Sequence, residues 1–94
     1  MPHFLIEYRQ LGSDADREPH RPAHIQHRKA VGNRLPVAGS LLNESGENAG
    51  SVILYEAEDD AAATAFARAD PMVVHGVFEL VSVRPFRLAA IKPV

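Results

Sequence analysis

The chain contains no cysteine, so neither a disulfide nor a catalytic or metal-binding thiolate is available to it. It also lacks any run of about 18 apolar residues, the length that a membrane-spanning helix needs. The formal net charge of −2 is too small for a general attraction to nucleic acid. The first ten residues have neither the basic start nor the small-residue cleavage site of a secretory signal. We therefore predict a cytoplasmic protein that binds neither membrane nor nucleic acid.

The length and the apolar content predict one small folded domain over residues 1–94. Apolar residues make up 46% of the 94 positions, which is typical of a globular domain rather than a disordered segment. A domain of this size buries only about 60–65% of the surface that its unfolded chain exposes. Because no disulfide can reinforce such a modest core, association with a second copy is the common remaining way to bury more apolar surface.

The charged residues are unevenly distributed along the chain. Residues 17–34 carry five basic side chains and one acidic side chain, whereas residues 44–60 carry six acidic side chains and no basic one. Two solvated faces of opposite charge would account for this pattern. Alternatively, the basic segment attracts an anionic ligand.

The pattern of strand formers, helix formers and turn residues predicts the order β-α-β-β-α-β. This order is the ferredoxin-like plan, an α+β fold with an antiparallel sheet. Residues 13–16 are predicted to be a loop. A glycine at position 39 suggests a bulge or a close backbone approach, and one at position 76 suggests a bend. The predicted strands are 3–8, 35–42, 51–56 and 73–83, and the predicted helices run from Pro19 or Pro22 to Arg34 and from 60 to 69.

The third predicted strand is apolar on both of its faces. Val52 and Leu54 point to one side and Ile53 and Tyr55 to the other, because side chains alternate along a strand. A sheet that is apolar on both faces needs a cover on both, and two short helices cover only one. This pattern favours a homodimer in which a second subunit covers the other face.

Three short motifs contain residues that could carry chemistry. They are Arg21-Pro22-Ala23-His24 on the first predicted helix, Asp70-Pro71 at the end of the second, and Ala38-Gly39-Ser40-Leu41 in the second strand. Each motif has an ordinary structural explanation: a surface histidine, a helix stop and close packing in a strand.

In this order and spacing, the three motifs resemble the YCII-related family. The resemblance extends from the first strand to Val83-Arg84-Pro85-Phe86. It implies the dimeric α/β barrel fold, in which two ferredoxin-like subunits join through their sheets, and it implies that His24 and Asp70 are a catalytic pair. It also implies a small carboxylate-bearing substrate. The chain has Ser40 where the family often has proline and Met72 where it often has an aromatic residue, and both changes concern the lining of a pocket.

A histidine that is oriented by a carboxylate is suited to acid–base chemistry. Its ordinary pKa near 6.5 lets an imidazole accept and return a proton at neutral pH, and the carboxylate fixes the tautomer and the ring orientation. No serine or threonine is marked as a nucleophile, so elimination, isomerisation or hydrolysis fits better than acyl transfer. We expect no cofactor. The alternative is a non-catalytic ligand-binding or accessory domain of the same fold.

Two further expectations concern ligands. Arg21 lies one helical turn before His24 and could bind a substrate carboxylate, with Arg17, Gly39 and Ser40 as further substrate-binding candidates; a solvated helix arginine is the alternative. The three histidines at positions 20, 24 and 27 would lie on one helical face and could hold a metal ion. We expect no metal there, because Pro22 disturbs the helix start and no carboxylate lies at ligand spacing.

Overall fold

The computed structural model describes residues 1–91 of the chain. The strands form one antiparallel sheet in the order β2-β3-β1-β4, which confirms the predicted ferredoxin-like α+β fold. No helix within the described residues is long and apolar enough to cross a membrane. The elements are β1 His3–Gln10, α1 Asp14–Arg17, α2 Arg21–Lys29, β2 Val37–Leu42, β3 Asn48–Glu56, α3 Asp60–Arg68, α4 Pro71–Val74 and β4 Phe78–Phe86.

The hydrophobic core lies between the helices and one face of the sheet. Alternate side chains of β1 are buried there, and Ile6 and Tyr8 are fully inaccessible to solvent. Across the ladder, Ile53 of β3 pairs with Ile6 and extends the same face. The small side chains Ala63 and Ala67 of α3 are also fully buried, which lets that helix approach the sheet closely.

The first predicted helix is confirmed with its start near Pro22, as α2, but it ends at Lys29 rather than at Arg34, and Gly32–Arg34 form a separate 3₁₀ turn. Ser13 caps a separate short helix, α1, through a reciprocal capping box with Asp16, in the segment that we predicted to be a loop. A 3₁₀ turn at Glu18–His20 then leads into α2. Pro19 and Pro22 occupy the first turns of these two elements, where a missing N–H does no harm; inside one long helix they would remove hydrogen bonds.

The predicted start of the fourth strand at Val73 is also wrong. The side chain of Asp70 accepts a hydrogen bond from the Met72 N–H at 3.0 Å and thereby caps α4, which begins at Pro71. Asp70-Pro71 therefore ends one helix and begins the next. His75, which we assigned to a strand, follows α4 and is exposed.

Gly76 lies in the turn before β4 rather than at a bend within the strand. Its φ of +73° is a backbone conformation that favours glycine. β4 continues through Pro85 to Phe86, further than predicted. A proline is tolerated there because β4 is an edge strand of the sheet.

The close backbone approach occurs at Gly50 rather than at Gly39. A Cβ atom on Gly50 would lie 2.1 Å from the carbonyl oxygen of Tyr8, whereas a Cβ atom on Gly39 would meet nothing within 4 Å in the described chain. The register shift of β2 falls between Leu41 and Leu42, so the expected bulge is also displaced from Gly39.

The face of the sheet opposite the helices is apolar along β2 and β3. Leu5, Val37, Val52 and Leu54 lie in register on this open face, because Leu5 pairs with Leu54 and Leu54 with Val37. Val37 is 43% exposed. Phe86, Leu88, Ala90 and Ile91 contribute to an apolar cavity of about 230 Å³ on the same face.

Candidate functional site

His24 and Asp70 are in direct contact beneath α2. The Nδ1 atom of His24 lies 2.7 Å from Oδ1 and 2.9 Å from Oδ2 of Asp70. Asp70 is completely buried at the junction of α3 and α4, and only 6% of His24 is exposed. The structure thus brings together the two residues that the sequence analysis selected as a catalytic pair.

The surroundings of Asp70 favour its ionised form. Burial raises the pKa of this carboxyl, but hydrogen bonds from His24 and from the Met72 N–H, together with the positive charges of His24 and Arg28, outweigh burial and hold its pKa below the ordinary value. Because the carboxylate is ionised at neutral pH, it accepts the Nδ1–H of His24. The Nε2 atom has no hydrogen-bond partner within residues 1–91 and is the ring position left for proton exchange.

Arg28 is the site residue that sequence reasoning missed. Its Nε lies 3.4 Å from Oδ2 of Asp70, and its Nη1 donates a hydrogen bond of 3.0 Å to the Ser51 hydroxyl. Its guanidinium carbon lies 5.3 Å from the centre of the Tyr8 ring. The spacing could have revealed it, because Arg28 is four residues after His24 and so lies on the same helical face.

Gly39 and Ser51 connect this cluster to β2. The Ser51 hydroxyl donates a hydrogen bond of 3.2 Å to the carbonyl oxygen of Gly39, while Ser51 pairs with Ser40 across the ladder. Of the predicted substrate-binding residues, Gly39 therefore contributes a backbone acceptor that is already used within the chain.

Arg17, Arg21 and Ser40 line one cavity of about 270 Å³. Its wall is completed by Asp14, Glu18 and Asn48 and includes neither His24 nor Asp70. Arg17 is partly engaged, since its Nη1 lies 3.7 Å from the Asp14 carboxylate. The cavity thus combines two guanidinium groups with two carboxylates.

Phe78 is close both to a residue of this cavity and to the His24 ring. The His24 and Phe78 rings are nearly perpendicular at a centroid distance of 5.8 Å, and the guanidinium carbon of Arg17 lies 5.7 Å from the centre of the Phe78 ring. Arg17 of the cavity and the His24 imidazole therefore share a neighbouring side chain.

The three histidines of the metal hypothesis have three different partners. His20 stacks on His75 at a centroid distance of 4.2 Å, His24 contacts Asp70, and a ring nitrogen of His27 lies 3.0 Å from the Phe66 carbonyl oxygen. Within residues 1–91, no group of three histidine or carboxylate side chains is placed to hold a metal ion.

Comparison with known proteins identifies a matching family and a solved structure of similar fold. Residues 1–87 match the YCII-related domain. The curated protein YciI of Escherichia coli O6:H1 is 40% identical over 75 residues, which cover 71% of this chain and 76% of that protein, and YciI of Shigella flexneri matches equally. Among solved structures, the 5-chloro-2-hydroxyhydroquinone dehydrochlorinase of Burkholderia phenoliruptrix AC1100, in complex with 2,5-dihydroxybenzoquinone, superposes with a TM-score of 0.73.

The structural likeness covers 90% of this chain and 91% of the dehydrochlorinase at 24% sequence identity, so it describes the fold alone. The family follows from the sequence match, which spans nearly the whole chain. The chain belongs to the YCII-related family.

Proposed function

We propose that the protein is an enzyme that uses His24 and Asp70 as an acid–base pair on a small anionic metabolite. The observation that supports this most directly is the 2.7 Å contact between a fully buried carboxylate and a nearly buried imidazole. A carboxylate in that position orients the ring, selects the tautomer with Nδ1–H, and stabilises the imidazolium that forms when Nε2 takes a proton.

The reaction begins with removal of a proton from the substrate by Nε2 of His24. The Asp70 carboxylate retains its negative charge and stabilises the resulting imidazolium. The same nitrogen then returns the proton at another position in an isomerisation, or donates it to the departing group in an elimination. Activation of a water molecule by Nε2 would give hydrolysis.

Arg21 and Arg17 are the groups that we expect to attract the substrate's negative charge. Arg21 is exposed, and Arg17 lies in the same cavity with Ser40. Arg21 lies one turn before His24 on α2, and Arg17 ends the preceding helix α1, so we expect a carboxylate bound by either one to hold the rest of a small molecule near the imidazole. The dehydrochlorinase of similar fold acts on a small hydroxylated ring, which supports a substrate of this size.

A proton-exchange assay tests the proposed function even when the product is unidentified. The protein is incubated in D₂O with a panel of small carboxylates that have an acidic C–H beside a carbonyl, and deuterium incorporation is followed by NMR. We expect exchange with at least one compound, and loss of about 10²-fold or more in His24→Gln. His27→Gln is the matched control, because His27 lies on the same helix and contacts Phe66 instead.

Equal exchange in His24→Gln and in the unaltered protein would refute the proposed role of His24. Binding of a panel compound without any exchange would support the second candidate, a non-catalytic binding domain. That candidate is favoured by one observation: the cavity lined by Arg17 and Arg21 does not include His24 on its wall.

We also infer that the protein is a homodimer joined through the open face of the sheet. Val37 and Leu41 are 43% and 38% exposed there, beside the more buried Leu5 and Val52. A second copy is the occupant that the dimeric α/β barrel type of fold favours, and a self-complementary sheet face would bury these side chains on both subunits.

The oligomeric state tests this inference. We expect sedimentation equilibrium to give a dimer for the unaltered protein and a monomer for Val37→Asp, because an aspartate would have to be buried in the interface. Leu11→Asp is the control, since Leu11 is 54% exposed at the far end of β1. A monomeric unaltered protein at micromolar concentration would contradict the inference.

A further inference from the structure

Arg28 contributes a third charge to the buried contact between His24 and Asp70. Its side chain is 14% exposed, and its Nε and Nη2 atoms are fully buried without a hydrogen-bond partner within residues 1–91. A guanidinium group is not left in such a position without a charge to balance it. The nearest opposite charge is Oδ2 of Asp70, 3.4 Å from Nε.

We propose that Arg28 is a positioning residue of the acid–base pair: its guanidinium balances the charge of Asp70, so that the carboxylate favours protonation of His24 less than it would alone. This inference rests on the proposed function and deepens it.

The net charge of the buried site explains how Arg28 would influence the protonation of His24. With Arg28 present, the carboxylate and the guanidinium sum to zero, so protonation of His24 would add a net positive charge to a poorly solvated site. Without Arg28, protonation of His24 would instead neutralise a lone buried carboxylate. An opposite or a like charge within about 4–6 Å shifts the pKa of an ionisable group by about one unit or more. An arginine is suited to this balance because its guanidinium does not lose its proton.

The anchoring of Arg28 keeps its charge in place. The hydrogen bond from Nη1 to Ser51 and the contact with the Tyr8 ring hold the guanidinium from the side of the sheet. The other ionisable groups near the pair are the Tyr8 hydroxyl, whose pKa is raised by burial, and Arg17, which contacts the Phe78 ring. Neither supplies a second negative charge, so Asp70 is shared between Arg28 and His24.

The test is an NMR titration of the His24 ring in the unaltered protein and in Arg28→Met. We expect the pH at which His24 is half protonated to rise by about one unit in Arg28→Met and to stay near the original in Arg28→Lys, which keeps the charge. Lys29→Met is the control, because it removes a positive charge from the same helical turn on the exposed side. A purely structural role would lower stability without moving this midpoint.

The same comparison is made in an Asp70→Asn background, in case Arg28→Met alone does not fold. In that background the Arg28 guanidinium repels the positive charge of a protonated His24 ring. Removing Arg28 should therefore again raise the pH at which His24 is half protonated. An unchanged or lower midpoint in either folded background would overturn the proposal. The titration needs no substrate, so it is independent of the proton-exchange assay. A higher His24 midpoint in Arg28→Met, together with no proton exchange on any panel compound, would support the role of Arg28 and count against the proposed enzymatic function only.

Discussion

His24 and Asp70 lie 2.7 Å apart between Nδ1 and Oδ1, although 46 positions separate them in the chain. The contact joins α2, in the first half of the fold, to the junction of α3 and α4 in the second half. Asp70 serves two purposes there, because Oδ1 accepts hydrogen bonds from both the His24 ring and the Met72 backbone. Stability and the proposed chemistry therefore depend on the same carboxylate.

Replacement of Asp70 is expected to destabilise the fold strongly. Asp70→Asn leaves the Arg28 guanidinium buried without an opposite charge, which costs about 3–5 kcal/mol. Asp70→Ala should cost about 1 kcal/mol more, because it also removes the cap of α4 that an asparagine oxygen can retain. Urea unfolding of the three proteins measures both differences, and an Asp70→Asn variant as stable as the unaltered protein would show that the charge contact contributes nothing.

The stability should fall in acid as Asp70 becomes protonated. Its pKa is lowered in the folded state from an ordinary value of 3.8, so the stabilisation that it provides is complete above that value and is lost as pH falls below it. The variant His24→Leu removes a hydrogen bond and a charge that offset the burial of Asp70. We therefore expect the pKa of Asp70 in the folded state to rise, so that the loss of stability begins at a higher pH. The exposed carboxyls Asp14 and Asp16 also have lowered pKa values, but they are unchanged in the variant and cancel.

Free energies of unfolding measured between pH 2 and 6 would reveal the shift. His27→Leu is the control, since it removes a histidine of the same helix that does not contact Asp70. If the free energy of unfolding falls over the same acidic pH range in His24→Leu and in the unaltered protein, His24 does not hold the Asp70 carboxylate in its ionised form.

Removal of the Tyr8 hydroxyl should have little effect on stability. This hydroxyl is buried near Arg28 but makes no hydrogen bond of good geometry within residues 1–91, and burial raises its pKa, so it stays neutral. Tyr8→Phe is therefore expected to be neutral or slightly stabilising. Tyr55→Phe is the matched comparison: its hydroxyl accepts a hydrogen bond of 2.9 Å from Arg34, and its loss should cost about 0.5–1.5 kcal/mol. A larger cost for Tyr8→Phe than for Tyr55→Phe in thermal unfolding would contradict this expectation.

Two glycines of the sheet should respond oppositely to alanine. Gly50→Ala places a Cβ atom 2.1 Å from the Tyr8 carbonyl oxygen and should destabilise the sheet by about 1–3 kcal/mol or more, because backbone must move. Within one subunit Gly39→Ala meets nothing within 4 Å in the described chain, so in the monomeric Val37→Asp background it should be neutral or stabilising by about 0.4–1 kcal/mol, through the loss of unfolded-state freedom. Equal melting temperatures for the two variants in that background would show that β1 and β3 do not approach as closely as described.

Local sequence patterns were sufficient for most of the strands and for the second helix. Asp59 caps α3 through the Ala62 N–H, as its position before an alanine-rich run predicted. Ser13 carried an equally local signal, a capping box with Asp16, and α1 was missed because this polar segment was interpreted as a loop. The boundary of β4 was missed because valines at positions 73 and 74 favour a strand, whereas the cap at Asp70 favours a helical turn.

The sequence alone determined the element order and the α+β class, because alternation, capping and turn chemistry act between near neighbours. Its resemblance to the YCII-related family indicated His24 and Asp70 as the pair to test. Only the tertiary structure decided that His24 and Asp70 are in contact and that Arg28 shares this carboxylate. Those contacts depend on how α2 docks against the sheet and the α3–α4 junction. Packing of distant surfaces sets that arrangement, and no short-range pattern in the chain encodes it.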